Sequence, residues 1–344
     1  MYKKKVKIFL GAHLNYINAQ NLNCLALAKY LDPKKFSTYA LSAHFSPKVK
    51  TKANLFNCFF PFRLSSPLGF LWGILKCDVA YLPKHITTPK WIFYIAHLLG
   101  KKVFTTIEIN MCDIKKESLI NSFGSSKNLI DYFKYVSNIF GITQHIIDHS
   151  NCGIKLDKRV LYLGVDADLF SEKLRKRLKN VVFIGSLTKR KRVNEFLQLA
   201  KQFPNLNFYI IGSGIELSFL KNNATTNVTF LGTLTQKEVS SILNKMDLHI
   251  LPSKCEGFPK VILEAAAAGI PSLVYSDYGA SEWIVNNNNG FIVGEYAELT
   301  KTIDRIINED DLLAKTSKGA ILMAKRFNWK RIIKDWEDKI LSLE

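Results

Sequence analysis

The stretch that decides the fold is PSKCEGFPKVILEAAAAGIPSLVY, residues 252–275. It follows the apolar run LHILP, which is typical of a buried strand, and Gly257 gives the connecting loop its freedom. Pro259 stands where a first helical residue is favoured, and Gly269 with Pro271 ends the Ala-rich helix. The helix N-terminus therefore faces outward from the carboxyl end of a strand, where free N–H groups and the helix dipole favour an anion such as a phosphate.

Glu256 and Glu264 lie eight residues apart around the start of this helix. Glu264 is inside VILEAAAAG, which is too apolar for a solvated helix, and a carboxylate buried there is costly unless it has a polar partner. Glu264 shares a helical face with Gly257, Lys260 and Val261, so a ligand with its phosphate on the helix end would bring hydroxyl groups to this carboxylate. A nucleotide fits that description. The alternative is that Glu264 pairs with an Arg or Lys of the core.

The chain has 344 residues, enough for two domains with separate cores. Its hydrophobic fraction of 47% and charged fraction of 22% are those of a globular protein. The six cysteines show no CxxC or Cys/His spacing, which disfavours a disulfide framework and a structural zinc and indicates a reducing compartment. The start MYKKKVKIFLGAH has a short apolar run broken by Lys7, so it predicts a buried strand rather than a signal peptide, and no apolar stretch reaches bilayer-spanning length.

Positive charge is concentrated in the first half of the chain. The net charge is +19; residues 1–165 contain 23 Lys and Arg against 8 Asp and Glu, a net of +15, and the remainder carries +4. This imbalance indicates a polyanion or an anionic membrane surface as partner. The aromatic segment CFFPFRLSSPLGFLWGILK, residues 58–76, suits interfacial contact. General solubility charge and core packing are the plain alternatives.

Short β-branched and aromatic runs alternate with helical patterns through both halves, as in parallel sheets covered on both faces. The fold class predicted from this alternation is α/β, with two Rossmann-like doubly wound domains. Strands are expected at 6–11, 37–42, 78–83, 102–107, 138–143, 159–164, 181–185, 207–212, 228–232, 248–252, 271–275 and 290–294. The polar, charged segment 164–180 has no strand pattern and is the predicted linker.

Ligands bind doubly wound sheets beyond the carboxyl ends of the strands, so two such domains facing across a cleft predict an interdomain site. Glycines that would let backbone approach a ligand follow strands of the second half: Gly185, Gly212, Gly214 and Gly232. Singly, each is equally a turn glycine. The run IGSG lacks the full GxGxxG spacing, so a site for a hydride-transfer dinucleotide is only weakly supported.

With these residues in view, the second half resembles the retaining, GT-B fold glycosyltransferases of family 4, the glycosyl transferases group 1, which use nucleotide-sugar donors. FIGSLTKRKRVNEFLQLA is similar to that family's first strand, phosphate loop and helix, FYIIGSG to its second strand, and FLGTL to the loop beside the base. EGFPKVILEAAAAGIP is similar to its E-x7-E signature, and GASEWIVNNNNGFIV to the segment that closes the pocket. Over residues 1–159 only the alternation of strands and helices fits.

The resemblance implies an acceptor-binding domain at 1–165, a donor-binding domain at 166–325, and a C-terminal helix, 326–344, that packs back toward the N-terminal domain. It implies that Glu264 binds ribose hydroxyls, that Glu256 lies near the donor sugar, and that Lys191 stabilises the departing diphosphate. Because cations do this, no metal or other cofactor is expected. The full donor set is Gly185, Ser186, Lys191, Arg192, Gly212, Gly214, Leu231, Glu256, Gly257, Phe258, Pro259, Lys260, Val261 and Glu264. Asn15 and Tyr16 are assigned to the acceptor side.

Two departures from the family pattern stand out. The family usually has an Arg two residues after the first strand of the donor domain, where this chain has Ser186, and Lys189, Arg190 and Arg192 supply cations nearby. A histidine is common after the fourth strand of the first domain, whereas FTTIEIN offers Glu108. We assign Glu108 as a further catalytic candidate, with an ordinary structural Glu as the alternative.

The predicted function is retaining transfer of a hexosyl group from a nucleoside diphosphate sugar, such as a UDP-sugar, to a glycan or lipid-linked acceptor. Surface polysaccharide, lipopolysaccharide or teichoic-acid assembly would use such a step, in the cytoplasm or peripherally on the inner face of the membrane. One alternative is a nucleotide-sugar epimerase or hydrolase of the same fold. A second is a non-catalytic protein that binds polyanions or nucleotide sugars. Nucleic-acid binding is disfavoured because no recognition motif is present.

Overall fold

The computed structural model describes residues 4–16, 18–113, 118–150 and 152–343. The chain forms two compact units: the first unit is Met1–Leu163 with Trp329–Glu344, and the second unit is Gly164–Asn328. Each unit contains one six-stranded sheet whose paired strands all run parallel. The α/β class predicted from the alternation of elements is confirmed. Residues 1–3, which precede the predicted first strand, lie outside the described residues.

The first unit is a doubly wound sheet with the strand order β3-β2-β1-β4-β5-β6, which reverses between β1 and β4. Its strands are β1 (Val6–His13), β2 (Phe36–Ser42), β3 (Asn54–Asn57), β4 (Val79–Tyr81), β5 (Lys102–Ile107) and β6 (Asn138–Gly141). Its helices before residue 164 are α1 (Ala19–Tyr30), α2 (Phe62–Lys76), α3 (Lys90–Leu98), α4 (Leu119–Phe123), α5 (Ser126–Phe133) and α6 (Gln144–Asp148).

The second unit repeats this topology with the order β12-β11-β10-β7-β8-β9, which reverses between β7 and β10. Its strands are β7 (Asn180–Ile184), β8 (Asn207–Ile211), β9 (Val228–Gly232), β10 (Leu248–Leu251), β11 (Ser272–Tyr275) and β12 (Gly290–Val293). Its helices are α7 (Val193–Gln202), α8 (Leu217–Asn222), α9 (Gln236–Leu243), α10 (Lys260–Ala267), α11 (Tyr296–Asn308) and α12 (Leu312–Arg326). The last helix, α13 (Trp329–Leu343), belongs to the first unit.

Burial explains why these segments are strands. Every residue of β10 and β11 is buried, and β1 is buried at all but one position, because helices cover both faces of a parallel sheet. Helix ends follow local chemistry: Thr235 and Glu238 form a reciprocal capping box at the start of α9. The sequence pattern therefore located eleven of the twelve strands to within a few residues.

Two strand predictions were wrong. The segment 159–164 forms no strand; it runs beside β6 with a single backbone hydrogen bond from Leu161 N to the Gly141 carbonyl, 2.9 Å. Conversely β3 was missed, because its four residues, NLFN, are polar at both ends and none is buried. An edge strand has one unpaired side and needs little apolar surface, so periodicity alone detects it poorly.

The predicted linker is part of the second unit's core. Arg175 is buried, and its guanidinium donates to the carbonyls of Asn244 (2.9 Å), Leu243 (3.2 Å) and Ala268 (2.8 Å). A cation at the last carbonyls of α9 and α10 satisfies groups that helix ends leave unpaired. This segment therefore closes the unit rather than joining two bodies loosely.

Helix α13 packs on the first unit. The Trp336 indole donates to the Tyr162 carbonyl (2.9 Å), and Lys339 pairs with Asp157 (2.9 Å). The Glu337 carboxylate accepts from Asp32 N (2.8 Å) and from Lys35 (2.9 Å). Trp336 is fully buried, so α13 contributes to the core of the first unit.

The cysteine spacing gave no sign of a disulfide, yet the structure bridges Cys112 and Cys152, 40 residues apart, with their Cα atoms at 5.6 Å. The spacing of the cysteines did not indicate this bridge, because the fold, and not proximity in the sequence, brings Cys112 and Cys152 together. The other four cysteines are unbridged and buried. Within the described residues, no helix is both long and apolar enough to cross a bilayer.

Candidate functional site

The candidate site of the second unit lies at the carboxyl edge of its sheet, where the strand order reverses between β7 and β10. This switch point is where doubly wound sheets bind ligands, because the loops leaving the two strands diverge and open a crevice. The predicted donor residues follow the strands of this one sheet: Gly185, Ser186, Lys191 and Arg192 after β7, Gly212 and Gly214 after β8, Leu231 at the end of β9, and Glu256, Gly257, Phe258, Pro259, Lys260, Val261 and Glu264 after β10.

Lys191 and Glu256 are brought into direct contact at this edge. The Lys191 ammonium pairs with Glu256 Oε1, and the Arg190 guanidinium reaches the same oxygen at 3.2 Å. Arg190 also donates to the Cys255 carbonyl at 2.5 Å, which ties the two loops together. Lys191 is only 8% exposed. Two cations therefore converge in a poorly solvated place, an arrangement that suits a bound anion.

Arg192 is directed elsewhere. It has positive φ (47°) at the start of α7, and its guanidinium lies over the Tyr275 ring, 4.9 Å from the centroid. Ion pairs join it to Asp277 (3.6 Å) and Glu195 (3.9 Å). Lys189, Arg190 and Arg192 are the three cations that the sequence offered in place of an Arg at the exposed Ser186. Of these three described residues, Arg190 reaches Glu256, beside Lys191, and sequence reasoning had not placed Arg190 in the donor set. Binding of the donor by Arg192 stays a prediction.

The glycines after β7 and β8 have a packing reason. A Cβ on Gly212, whose φ is +138°, would lie 1.9 Å from the Gly185 carbonyl oxygen, and one on Gly214 would lie 2.3 Å from the Leu187 carbonyl oxygen. Only glycine allows these two loops to approach so closely. Contact of these backbones with a donor stays a prediction.

Helix α10 begins at Lys260, so Pro259 is its N-cap rather than its first residue. Pro259 offers no side-chain cap, and the first turn contains no acidic residue. The positive end of the α10 dipole therefore lies at the strand edge where a phosphate is expected, and the Pro259 side chain does not cap it.

Glu264 lies one turn further along α10. Burial raises the pKa of its carboxyl group above the usual value, while the Lys260 charge and the Gln236 amide, 3.4 Å from Oε1, oppose the rise. Within the part of the chain that the structure describes, Glu264 forms no salt bridge with an Arg or Lys. The alternative of a core ion pair is therefore not what the structure shows.

Two further buried polar residues surround the ion pair. His249, on β10, is fully buried; its Nδ1 lies 2.9 Å from Ser272 Oγ, and burial followed by the Lys191 charge lowers its pKa to about 3. The Tyr278 hydroxyl is buried without a hydrogen-bond partner among the described residues, and burial and the nearby Glu256 charge raise its pKa. Sequence reasoning missed both; a histidine inside the otherwise apolar run LHILP was the available signal.

Glu108 lies in the first unit, after β5, whereas Lys191 and Glu256 lie in the second. Its Oε1 accepts from the Asn23 amide and from the Thr106 hydroxyl, each at 3.3 Å. These contacts give Glu108 a structural task, and its catalytic assignment stays a prediction.

Asn15 and Tyr16 follow β1 at the carboxyl edge of the first unit's sheet. The Asn15 amide donates to the carbonyls of Ala43 (2.8 Å) and Ser46 (3.1 Å), and its oxygen accepts from Ala43 N (2.7 Å). Asn15 therefore fixes the loop after β2. Tyr16 is half exposed and lies edge-on to Phe45, 5.9 Å between ring centroids. Contact of either residue with an acceptor stays a prediction.

No group of three or more His, Cys, Asp or Glu residues suited to a metal ion is present among the residues the structure describes. The candidate site of the second unit offers cations and backbone N–H groups instead. Metal-independent action stays a prediction.

Two doubly wound parallel units in one chain define the GT-B fold, and solved structures of that class match nearly the whole chain. HepE of Anabaena, solved with UDP and glucose, has a TM-score of 0.75 and 17% sequence identity over 98% of this chain and 100% of its own. At this identity the likeness shows the fold.

Residues 165–323 match the family described as glycosyl transferases group 1. An uncharacterized glycosyltransferase of Haemophilus influenzae is 30% identical over 171 residues, 46% of this chain and 48% of the relative. The capsular polysaccharide biosynthesis glycosyltransferase CapM of Staphylococcus aureus is 30% identical over 183 residues, 47% of this chain and 45% of the relative. The chain thus spans about half the length of these curated relatives.

Proposed function

We propose that this protein is a glycosyltransferase that moves a hexosyl group from a nucleoside diphosphate sugar to an acceptor hydroxyl with retention of configuration. The observation that carries the proposal is the convergence of Lys191, Arg190 and Glu256 at the switch point of a group 1 domain, next to the start of α10. A diphosphate is bound by cations and by the positive end of a helix dipole, and this edge supplies both. UDP is the nucleotide we expect, since HepE was solved with UDP.

Each residue has a physical task in this reaction. The diphosphate lies on Lys191 and the α10 N-terminus, and Glu264 accepts hydrogen bonds from the ribose hydroxyls. The bond between the sugar's anomeric carbon and the diphosphate oxygen breaks as the acceptor oxygen bonds to that carbon on the same face, and the acceptor proton passes to the departing phosphate. Negative charge grows on the leaving group, so a cation already in place lowers the barrier.

The acceptor is proposed to be a glycan or lipid-linked glycan of a surface polysaccharide. CapM acts in capsular polysaccharide biosynthesis, and the basic first half of this chain, at +15, favours an anionic acceptor.

Peripheral binding to an anionic membrane is part of the proposal. Exposed apolar side chains recur along α2 and α3, namely Leu64, Leu68, Leu75, Trp91, Tyr94 and Leu98. Their spacing places each set on one helix face, with Arg63, Lys76 and Lys90 nearby. We expect Leu64→Ser to reduce co-sedimentation with phosphatidylglycerol vesicles several-fold. Leu322→Ser, at an exposed position of the second unit, is the matched control, and equal loss in both variants would contradict a dedicated membrane surface.

The donor half of the proposal is tested by thermal stabilisation with UDP, GDP, ADP and CMP and their sugars, followed by product analysis. We expect one nucleotide to raise the Tm selectively. We also expect the sugar to be transferred to an added acceptor, and no free sugar to be released from the donor alone. Absence of any shift would overturn the proposal, and free sugar alone would indicate a hydrolase.

A further inference from the structure

A cavity of about 420 Å³ opens at the switch point of the first unit, between the segments that follow β1 and β4. Its walls include Tyr16 after β1, Phe45 after β2, and Lys84 after β4. It therefore occupies in the first unit the topological position that the candidate donor site occupies in the second. Its volume is within the range of small-molecule sites, about 300–1,000 Å³, and exceeds what a phosphate alone requires.

Among the described residues that line this cavity, the charged ones are two cations, Lys84 and Arg63. Neither side chain has an ion pair or hydrogen bond among the described residues. Burial lowers the pKa of the Lys84 ammonium, so its charge sits in a place that solvates it poorly. An unpaired cation in such a wall is stabilised by an anionic ligand.

Two helix N-termini meet the same cavity. Phe62 and Arg63 open α2, and Pro89 is the N-cap of α3; neither helix has a side-chain cap or an acidic residue in its first turn. The dipole already makes these ends positive, and Arg63 adds a positive charge where a negative one is favoured. The cavity thus concentrates positive potential that no acidic side chain of its lining offsets.

The lining also contains a cluster of aromatic rings. The ring of Phe45 lies 5.1 Å from that of Phe62 and 5.9 Å from that of Tyr16, and Phe62 lies 5.0 Å from the His13 ring. His13 is buried beside Ser66 Oγ at 3.3 Å, and burial together with the Lys84 charge lowers its pKa to about 4, so at neutral pH it adds no charge to the wall. Phe45 is 57% exposed, so this wall continues to the outer surface.

We propose that this cavity binds the phosphate of a lipid-linked acceptor, with Lys84 and Arg63 holding the phosphate and Tyr16, Phe45 and Phe62 contacting the first apolar units of the lipid chain. This inference rests on the proposed function, because the ligand is an acceptor only if the protein is a glycosyltransferase. The occupant needs both an anionic group and an apolar body, because the cavity presents both kinds of wall within one opening. Exposed apolar side chains beyond the rim, Phe60 and Leu64, continue the path for the chain.

The test is calorimetric titration of the full chain with geranyl phosphate, with geraniol and inorganic phosphate as separate arms. Geranyl phosphate is expected to bind at least tenfold more tightly than either. Lys84→Met should weaken its binding about 10- to 100-fold, as expected for loss of a charge-assisted contact with phosphate. Phe45→Ser should weaken the binding of geranyl phosphate and leave the binding of inorganic phosphate unchanged. Lys102→Met, at an exposed lysine beginning β5 on the opposite edge of the sheet, is the control and should bind as the wild type does.

Equal binding of inorganic and geranyl phosphate would overturn the lipid assignment, and unchanged binding in Lys84→Met would overturn the site. Stabilisation by the donor nucleotide is measured on the same variants and should persist in Lys84→Met. If no donor nucleotide stabilises the wild type, the proposed function itself is contradicted, so the two failures are distinguishable.

Discussion

Replacing Glu264 by Gln should have opposite effects on the free and the nucleotide-bound protein. In the proposed nucleotide complex the Glu264 carboxylate accepts hydrogen bonds from the ribose. Hydrogen bonds to a charged group contribute about 1.5–3 kcal/mol, or about 10- to 150-fold in Kd. A ligand at 100 times its Kd stabilises by about 2.7 kcal/mol, and a 100-fold weakening reduces this to about 0.4 kcal/mol. For a domain of this size, about 2–4 °C per kcal/mol converts these figures to Tm shifts of about 5–10 °C and 1–2 °C.

In the free protein the same substitution should not destabilise. Burial raises the pKa of Glu264, so the folded state binds this proton more tightly than the unfolded chain does. Stability is therefore lost as the pH rises from the ordinary carboxyl pKa of the unfolded chain to the raised pKa of the folded protein. Above the raised pKa, the folded protein carries the whole cost of the buried charge. Gln carries no charge and removes that penalty. Unliganded Glu264→Gln should match or exceed the wild type in Tm at pH 8, and the difference should shrink toward pH 4.

The assay is differential scanning fluorimetry with and without the selected nucleotide from pH 4 to pH 8. Glu295→Gln is the matched control, since Glu295 is exposed at the start of α11 and its side chain forms no cap hydrogen bond. A nucleotide shift in Glu264→Gln equal to that of the wild type would refute the ribose role. A lower unliganded Tm at pH 8 would refute the argument from burial.

Three further outcomes are expected. Lys191→Met should lower kcat about 10²- to 10³-fold in transfer assays, because it removes a preorganised cation from the leaving group; the exposed Lys189→Met is the control, and equal losses in both would contradict the assignment. Cys112→Ser should lower the free energy of unfolding by about 4 kcal/mol on the chain-entropy model for a 40-residue separation, measured by urea denaturation, and dithiothreitol should then have no further effect. His249 has a pKa of about 3 in the folded state against an ordinary 6.5, so it contributes stability above pH 6.5 that is lost as the pH falls toward 3. Between pH 6 and pH 5, His249→Gln should therefore lose about 1 kcal/mol less unfolding free energy than the wild type. The same loss in both proteins would contradict the burial of a neutral His249.

Much of the second unit's site could be predicted from neighbouring residues. The apolar run before Gly257, the Pro and Gly that bound α10, and the position of Glu264 within it are properties of adjacent positions in the chain, so periodicity and turn chemistry located them. The family resemblance then assigned Lys191, which the structure places against Glu256. These patterns do not give the direction of a side chain: the Arg192 guanidinium lies over the Tyr275 ring, a contact that they did not predict, and its place in the donor set stays a prediction.

The sequence by itself determined that the chain alternates strands and helices, that both halves are doubly wound, and that a short helix follows a buried strand at residues 252–275. Only the tertiary structure decided which distant residues meet: Arg190 with Glu256 across 66 positions, Cys112 with Cys152 across 40, and the two helix N-termini beside Lys84. The reason is physical. Periodicity and capping depend on residues within a turn or two of one another, whereas these contacts depend on strand order, which sets the loops that share a sheet edge.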